Sequence, residues 1–178
     1  MRVLIVVDMQ NGVFATPRYQ QNMVVERINR LIDAADQTIF IQHADADMPP
    51  GSEAWRLLPS LYRPANEISV TKTACDAFYR TELADTLNHL AVRHFTLCGC
   101  ATDYCVDATI KNAASRGYAQ TIAGDAHTTA DRRAVGAAQL IAQHNDVWRD
   151  FIIPGNTLRV EDTDVILREW QARPDACV

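Results

Sequence analysis

The sequence predicts a single-domain, three-layer α/β/α fold with a mostly parallel central sheet. Three observations predict it. Short runs such as residues 3–7 and 38–41 are almost entirely apolar and rich in β-branched residues, as strands buried on both faces must be. Longer stretches with apolar residues at helical spacing alternate with those runs, the pattern of βαβ units with right-handed crossovers. No repeat, low-complexity tract or linker divides the 178 residues, so residues 1–178 read as one domain.

Each element has its own justification. Residues 2–7 form a continuous strand that ends at Asp8, with Asn11-Gly12 in the following loop. Residues 24–36 carry apolar side chains at 24, 25, 28, 31, 32 and 35, one stripe of a helix. Residues 38–42 are a second buried strand, and the Asp- and Pro-rich stretch 44–51 is its loop. An irregular excursion over 52–65 contains Trp55, and a short strand at 68–70 stops at Thr71-Lys72-Thr73. Thr81 caps a helix over 81–90, and residues 94–97 are the next strand. After the sharp connection 99–104, residues 105–116 are helical and closed by Gly117. A strand at 119–123, a helix at 129–145 and a short strand at 158–160 complete the pattern.

Composition excludes several partners. With 48% hydrophobic and 22% charged residues the chain is an ordinary globular one, and 17 Lys+Arg against 22 Asp+Glu leave a net charge of −5. No basic run exceeds Arg132-Arg133, which argues against nucleic acid. The apolar runs fall far short of the ~20 residues that cross a bilayer, and the chain enters its first strand without a basic leader; a soluble cytoplasmic protein is expected. Five cysteines (Cys75, Cys98, Cys100, Cys105, Cys177) form an odd set without a secretory signal, so reduced thiols are expected. Neither G-x-G-x-x-G nor G-x-x-x-x-G-K-[ST] follows the first strand, which weighs against a nucleotide binder.

Parallel sheets hold ligands beyond the carboxyl ends of their strands. That rule selects Asp8, His43 with Asp45, Lys72, residues 99–105, and Asp125 with His127. Cys105 follows a tight turn and opens a helix, whose positive end lowers a thiol's pKa and makes a thiolate available at neutral pH. A carboxylate such as Asp8 can take the thiol proton and later hand it to a leaving amine, while an ammonium such as Lys72 steadies both anions. His127 offers an alternative base in a Cys–His pair, or a loop or subunit contact. Cys98-x-Cys100 with Cys105 lacks a fourth ligand for zinc and reads as packing, as does Cys75; Cys177 reads as exposed and silent. His43, His89, His94 and His144 read as structural or surface residues. Phe14, Trp55 and Tyr79 are the aromatic candidates for substrate contact.

At these residues the sequence resembles the isochorismatase-like cysteine hydrolases, which include nicotinamidases and N-carbamoylsarcosine amidases. The resemblance covers nearly the whole chain. It rests on Val6-Val7-Asp8-Met9-Gln10-Asn11, on Val70-Thr71-Lys72-Thr73-Ala74-Cys75-Asp76-Ala77-Phe78, on Gly99-Cys100-Ala101-Thr102-Asp103-Tyr104-Cys105-Val106, and on Asp125-Ala126. It implies the isochorismatase-like hydrolase fold and a triad of Cys105 as nucleophile, Asp8 as general acid/base and Lys72 as its electrostatic partner. It also implies a cis peptide bond between Cys100 and Ala101, an oxyanion hole from the N–H groups of Ala101 and Cys105, and Thr102 and Asp103 as supports of that turn. The reaction so implied is hydrolysis of a C–N bond in a small amide, ureide or carbamoyl compound through a thioester, without a cofactor, in a homo-oligomer (dimer or tetramer). Nicotinamidases hold a metal on an Asp-x-His pattern after the second strand. Here that segment reads His43-Ala44-Asp45-Ala46-Asp47, with no second His until His89, so a solvated acidic loop without metal is expected. Two other readings stay open: cleavage of an enol ether or ester on the same fold, and a non-catalytic member that binds a metabolite.

Overall fold

The structure is a computed structural model, and it describes residues 1–172. Cys177 lies outside the described residues. Six strands, β1 (Val3–Val7), β2 (Gln37–His43), β3 (Ile68–Lys72), β4 (His94–Cys100), β5 (Ala119–Thr128) and β6 (Leu158–Glu161), form one sheet in the order β3-β2-β1-β4-β5-β6. Every pairing among them is parallel. The described residues also form five α-helices: α1 (Gln21–Ala34), α2 (Leu83–His89), α3 (Asp107–Ser115), α4 (Ala137–Arg149) and α5 (Thr163–Ala172). None is long and apolar enough to cross a membrane.

The period-two geometry of strands splits β1 between two apolar cores. Val3, Ile5 and Val7 pack with Leu83, Leu87, Ile110 and Trp148, on the side of α2, α3 and α4. Leu4 and Val6 pack with Val24, Ile28, Leu31, Ile166 and Trp170, on the side of α1 and α5. All five residues of β1 are therefore buried, which is why its sequence carries no polar alternation.

Several element bounds differ from the sequence expectation, each through a contact from far along the chain. β5 runs to Thr128 rather than to 123, because it pairs Gly99 with His127 and Cys100 with Thr128 beyond an irregularity between Leu97 and Gly99. α4 begins at Ala137, not near 129, since the Asp131 carboxylate accepts the Ala137 N–H at 2.8 Å and holds residues 129–136 as a loop. α2 starts at Leu83, and its N–H reaches the Thr81 hydroxyl at 3.3 Å. α5 was not expected at all. Its first turn is organised by Asp125, which accepts the Thr163 N–H at 2.8 Å and hydroxyl at 2.7 Å, and which pairs with Arg27 at 3.1 Å. Asp125 and His127 thus belong to β5 and to packing rather than to a loop beyond it.

β6 pairs with β5 and carries Arg159, which bonds Glu161 at 3.0 Å and Glu169 of α5 at 2.6 Å.

Candidate active site

The strand order reverses direction at β1 and β4, and in parallel sheets such a point opens a crevice at the carboxyl ends. Gly99 lets the two strands close there. At φ +123° it occupies backbone space that L side chains rarely adopt, and an added Cβ would sit 2.2 Å from the Val7 carbonyl oxygen. The next residue after Val7, Asp8, takes φ +49° and is fixed by its N–H to the Ile41 carbonyl at 2.9 Å. Asp tolerates that left-handed conformation better than most side chains.

Lys72, the last residue of β3, reaches across the end of β2. Its Nζ lies 2.7 Å from Asp8 Oδ2 and 3.3 Å from Cys105 Sγ, and donates to the Ala74 carbonyl at 3.0 Å. A fourth neighbour is His43 Nδ1, at 3.3 Å. Asp8 and Lys72 are 2% and 1% exposed, so this ion pair is shielded from water on every side. The other carboxylate oxygen, Asp8 Oδ1, is buried with no hydrogen-bond partner among the described residues.

Burial and charge set the protonation of these groups together. Burial raises the Asp8 pKa, against the opposing pull of Lys72. For Lys72 burial works against the charge, but the Asp8 and Cys105 side chains outweigh it and the pKa is raised. The Cys105 thiol is pushed up by burial and then by Asp8, with Lys72 opposing. This corrects the sequence expectation of a thiolate produced by a helix end. Cys105 lies inside a π-helical turn, Thr102–Val106, that precedes α3, and desolvation decides its titration. Burial therefore favours the protonated sulfur, and the arrangement can pass that proton to the adjoining carboxylate.

The turn carrying Cys105 is braced from behind. The Cys100–Ala101 peptide bond is cis, and the Ala101 carbonyl accepts the Tyr104 and Val106 N–H groups at 3.1 Å each. Thr102 Oγ1 bonds His127 Nδ1 at 2.8 Å, and His127 Nε2 bonds Asn145 Oδ1 at 2.9 Å. Burial pushes the His127 pKa down to about 4, so its ring is neutral. His127 is therefore a buried support of the turn, neither a loop nor a subunit-contact residue. Asp103 binds the Thr129 hydroxyl at 2.6 Å and the Arg132 guanidinium at 2.7 and 3.0 Å.

The aromatic candidates separate. Phe14 is buried in the core beside Met9 and Val24. Tyr79 is exposed, with the Arg80 guanidinium over its ring. Trp55 lies on the excursion that packs back on the loop after β1: the Leu58 N–H bonds the Met9 carbonyl, and the Trp55 carbonyl accepts the side-chain amides of Gln10 and Gln42 at 2.8 and 3.0 Å. Cys98 and Cys100 are fully buried, the latter thiol pushed up to about 12 by desolvation, and Cys75 is exposed. Among the described residues no cluster of His, Cys, Asp and Glu is arranged to hold a metal ion.

Sequence reasoning missed Gln10 and the contact of His43 with Lys72. Gln10 is fully buried and clamps the His43 backbone from both sides, Oε1 accepting its N–H at 2.7 Å and Nε2 donating to its carbonyl at 2.9 Å. A glutamine two residues beyond a buried carboxylate was the available signal. The His43 contact depends on β2 and β3 being neighbours in a register that pairs His43 with Lys72.

Comparison with known proteins shows the family. The isochorismatase domain family matches residues 2–145. The chain belongs to the isochorismatase family. Among its relatives, streptothricin hydrolase from Streptomyces noursei is 30% identical over 141 residues, covering 74% of this chain and 56% of that protein. The chain thus spans little more than half the length of that relative. An isochorismatase from Pseudomonas putida KT2440 superposes with a TM-score of 0.82 at 26% identity, over 92% of this chain and 89% of the other. A cysteine hydrolase from Pseudomonas syringae pv. phaseolicola 1448A has the same fold, with a TM-score of 0.87 at 20% identity over 96% and 93% of the two chains.

Proposed function

We propose that this isochorismatase-family hydrolase cleaves a C–N bond of a small amide, ureide or carbamoyl compound through a Cys105 thioester, with Asp8 and Lys72 completing the triad. The observation that carries the reading is one buried ammonium held 2.7 Å from a carboxylate and 3.3 Å from a thiol. The relation to streptothricin hydrolase favours amide chemistry on this fold.

The steps follow from the protonation states. Asp8 takes the proton of Cys105 Sγ, and the thiolate attacks the substrate carbonyl. In this reading the resulting oxyanion is met by the N–H groups of Ala101 and Cys105, on the turn that carries the nucleophile. Asp8 returns the proton to the departing nitrogen, so the leaving group departs as a neutral amine or ammonia and not as an amide anion. Asp8 then takes a proton from water, whose oxygen attacks the thioester. Collapse releases the acid and restores the thiol. Lys72 stays protonated throughout, keeping the carboxylate at hand for each transfer despite its burial.

Supporting features include the unpartnered Asp8 Oδ1, which is the oxygen free to receive a proton. Trp55, whose backbone carbonyl is held by Gln10 and Gln42, is the aromatic we propose to meet a planar substrate group. We place the enzyme in the cytoplasm, as a homo-oligomer acting on a small-molecule substrate.

The test is a panel of small amides, ureides, carbamoyl compounds and esters, assayed for released ammonia, amine or alcohol, with mass spectrometry of the intact protein. Ammonia or amine release, a mass increment on Cys105 during turnover, and loss of both in Cys105→Ser are expected. Turnover that survives Cys105→Ser would refute the reading.

A further inference from the structure

A lysine ammonium has three N–H groups, yet four acceptors surround Lys72 Nζ. Asp8 Oδ2 at 2.7 Å and the Ala74 carbonyl at 3.0 Å take two of them. The third faces His43 Nδ1 and Cys105 Sγ at the same distance, 3.3 Å. Lys72 is 1% exposed and has no water-facing alternative.

The His43 ring is fixed in the orientation that competition needs. To accept from an ammonium, Nδ1 must carry the lone pair, which puts the proton on Nε2, and Nε2 faces Asp45 Oδ2 at 3.3 Å. Asp45 is itself anchored, its Oδ1 accepting the N–H groups of Asp47 and Met48 at 2.9 and 2.8 Å. Gln10 holds the His43 backbone on both sides. The ring therefore presents one lone pair to Lys72.

We infer that His43 is a positioning residue that shares the third Lys72 hydrogen with Cys105. It yields that hydrogen when the sulfur is a thiolate and takes it back when the sulfur is acylated. The inference rests on the triad reading above. A thiolate is a strong acceptor for an ammonium, whereas a thioester sulfur is a poor one, so acylation would strand a buried N–H without a partner. With His43 beside it, Lys72 keeps three hydrogen bonds in every state of the cycle, and its charge does not have to move. In the resting enzyme the same competition leaves Cys105 with only a share of the third hydrogen. Removing the competing acceptor should therefore favour the thiolate, whereas loss of a merely structural residue should not.

The experiment follows the ultraviolet absorbance of the Cys105 thiolate against pH in the wild type, His43→Leu, His43→Asn and Lys72→Met, each referenced to the same chain carrying Cys105→Ser. That reference removes the contributions of Cys75 and the other thiols. The rate of Cys105 alkylation by iodoacetamide at neutral pH is measured alongside. His43→Leu is expected to titrate at lower pH than the wild type and to alkylate roughly three- to tenfold faster. His43→Asn, whose side-chain oxygen can stand in for Nδ1, is expected to stay within about twofold of the wild type. A His43→Leu titration that is unmoved or raised, or Leu and Asn variants that behave alike, would overturn the inference. Should His43→Leu not fold, nitrogen NMR of wild-type enzyme with labelled histidine decides: the Nδ1 signal that vanishes in His43→Asn is expected to shift when Cys105 is alkylated, and no shift would overturn it. Lys72→Met separates the two levels. If it leaves the Cys105 titration in place, the triad reading itself fails; if it raises that titration while His43→Leu changes nothing, only the role of His43 fails.

Discussion

Lowering the pH from about 7.5 to about 5 is expected to cost the wild-type protein about 2 kcal/mol more stability than a His127→Gln variant. His127 is 1% exposed and its two ring nitrogens are committed. Asn145 Nδ2 donates to the Gly124 carbonyl at 2.8 Å, so the Asn145 oxygen faces the imidazole and accepts the proton on Nε2. That leaves Nδ1 as an acceptor for the Thr102 hydroxyl at 2.8 Å. A second proton would have to enter at Nδ1 in a ring cut off from water, and that desolvation lowers the pKa from 6.5 to about 4. The neutral ring is favoured by folding, so its contribution is complete above pH 6.5 and is lost as the pH falls toward 4. The full gap corresponds to about 3 kcal/mol, of which about 2 has gone by pH 5. Urea unfolding of the two proteins across this range measures it, because the carboxylates common to both cancel in the difference. Parallel pH dependences would refute the reasoning.

Three further outcomes test the site. Gly99→Ala forces a Cβ into the Val7 carbonyl at a left-handed φ and is expected to cost about 2–4 kcal/mol, read as a fall in the urea midpoint; a change under about 0.5 kcal/mol would show that β1 and β4 can separate freely. Asp8→Asn removes the proposed proton acceptor while preserving shape, and roughly a thousandfold loss of hydrolysis is expected with little change in substrate affinity, measured by steady-state kinetics on whichever amide the panel identifies. Trp148→Phe deletes the Nε1 bond to Asp107, 2.9 Å long, but keeps a ring against His127, so a stability loss of about 1 kcal/mol by thermal unfolding is expected, with Cys105 alkylation unchanged.

What the sequence made legible was whatever a short window encodes. β1 announces itself because burial on both faces removes every polar residue from 3–7, and Asp8 stands out as the first charge beyond it. The β4 turn is legible from Gly99 onward, since glycine, a tight connection and a cysteine at a helix entrance already constrain one another. Windows could not supply pairings between distant strands. The end of β5 looked like a loop because Asp125 and His127 are polar, yet one organises the first turn of α5 and the other braces Thr102. The protonation of Cys105 is not legible for a related reason: a helix end is visible in sequence, whereas desolvation by neighbours brought in from β1 and β3 is not. His43 reads as a structural or surface residue because nothing local to residues 43–47 says that Lys72 lies one strand away.

The ion pairs of Arg159 bear on how this sheet ends. Among the described residues β6 is one of its two outer strands, and an outer strand presents unpaired N–H and C=O groups to any other extended chain. Arg159 is held between Glu161 of its own strand and Glu169 of α5, so an incoming strand would have to strip water from a three-charge cluster before it could pair. The cluster's worth is therefore not counted in the stability of the isolated molecule, where exposed pairs contribute little. It is counted at high concentration, where a neutral edge would let one sheet extend into the next and the charged edge opposes that strand-to-strand pairing.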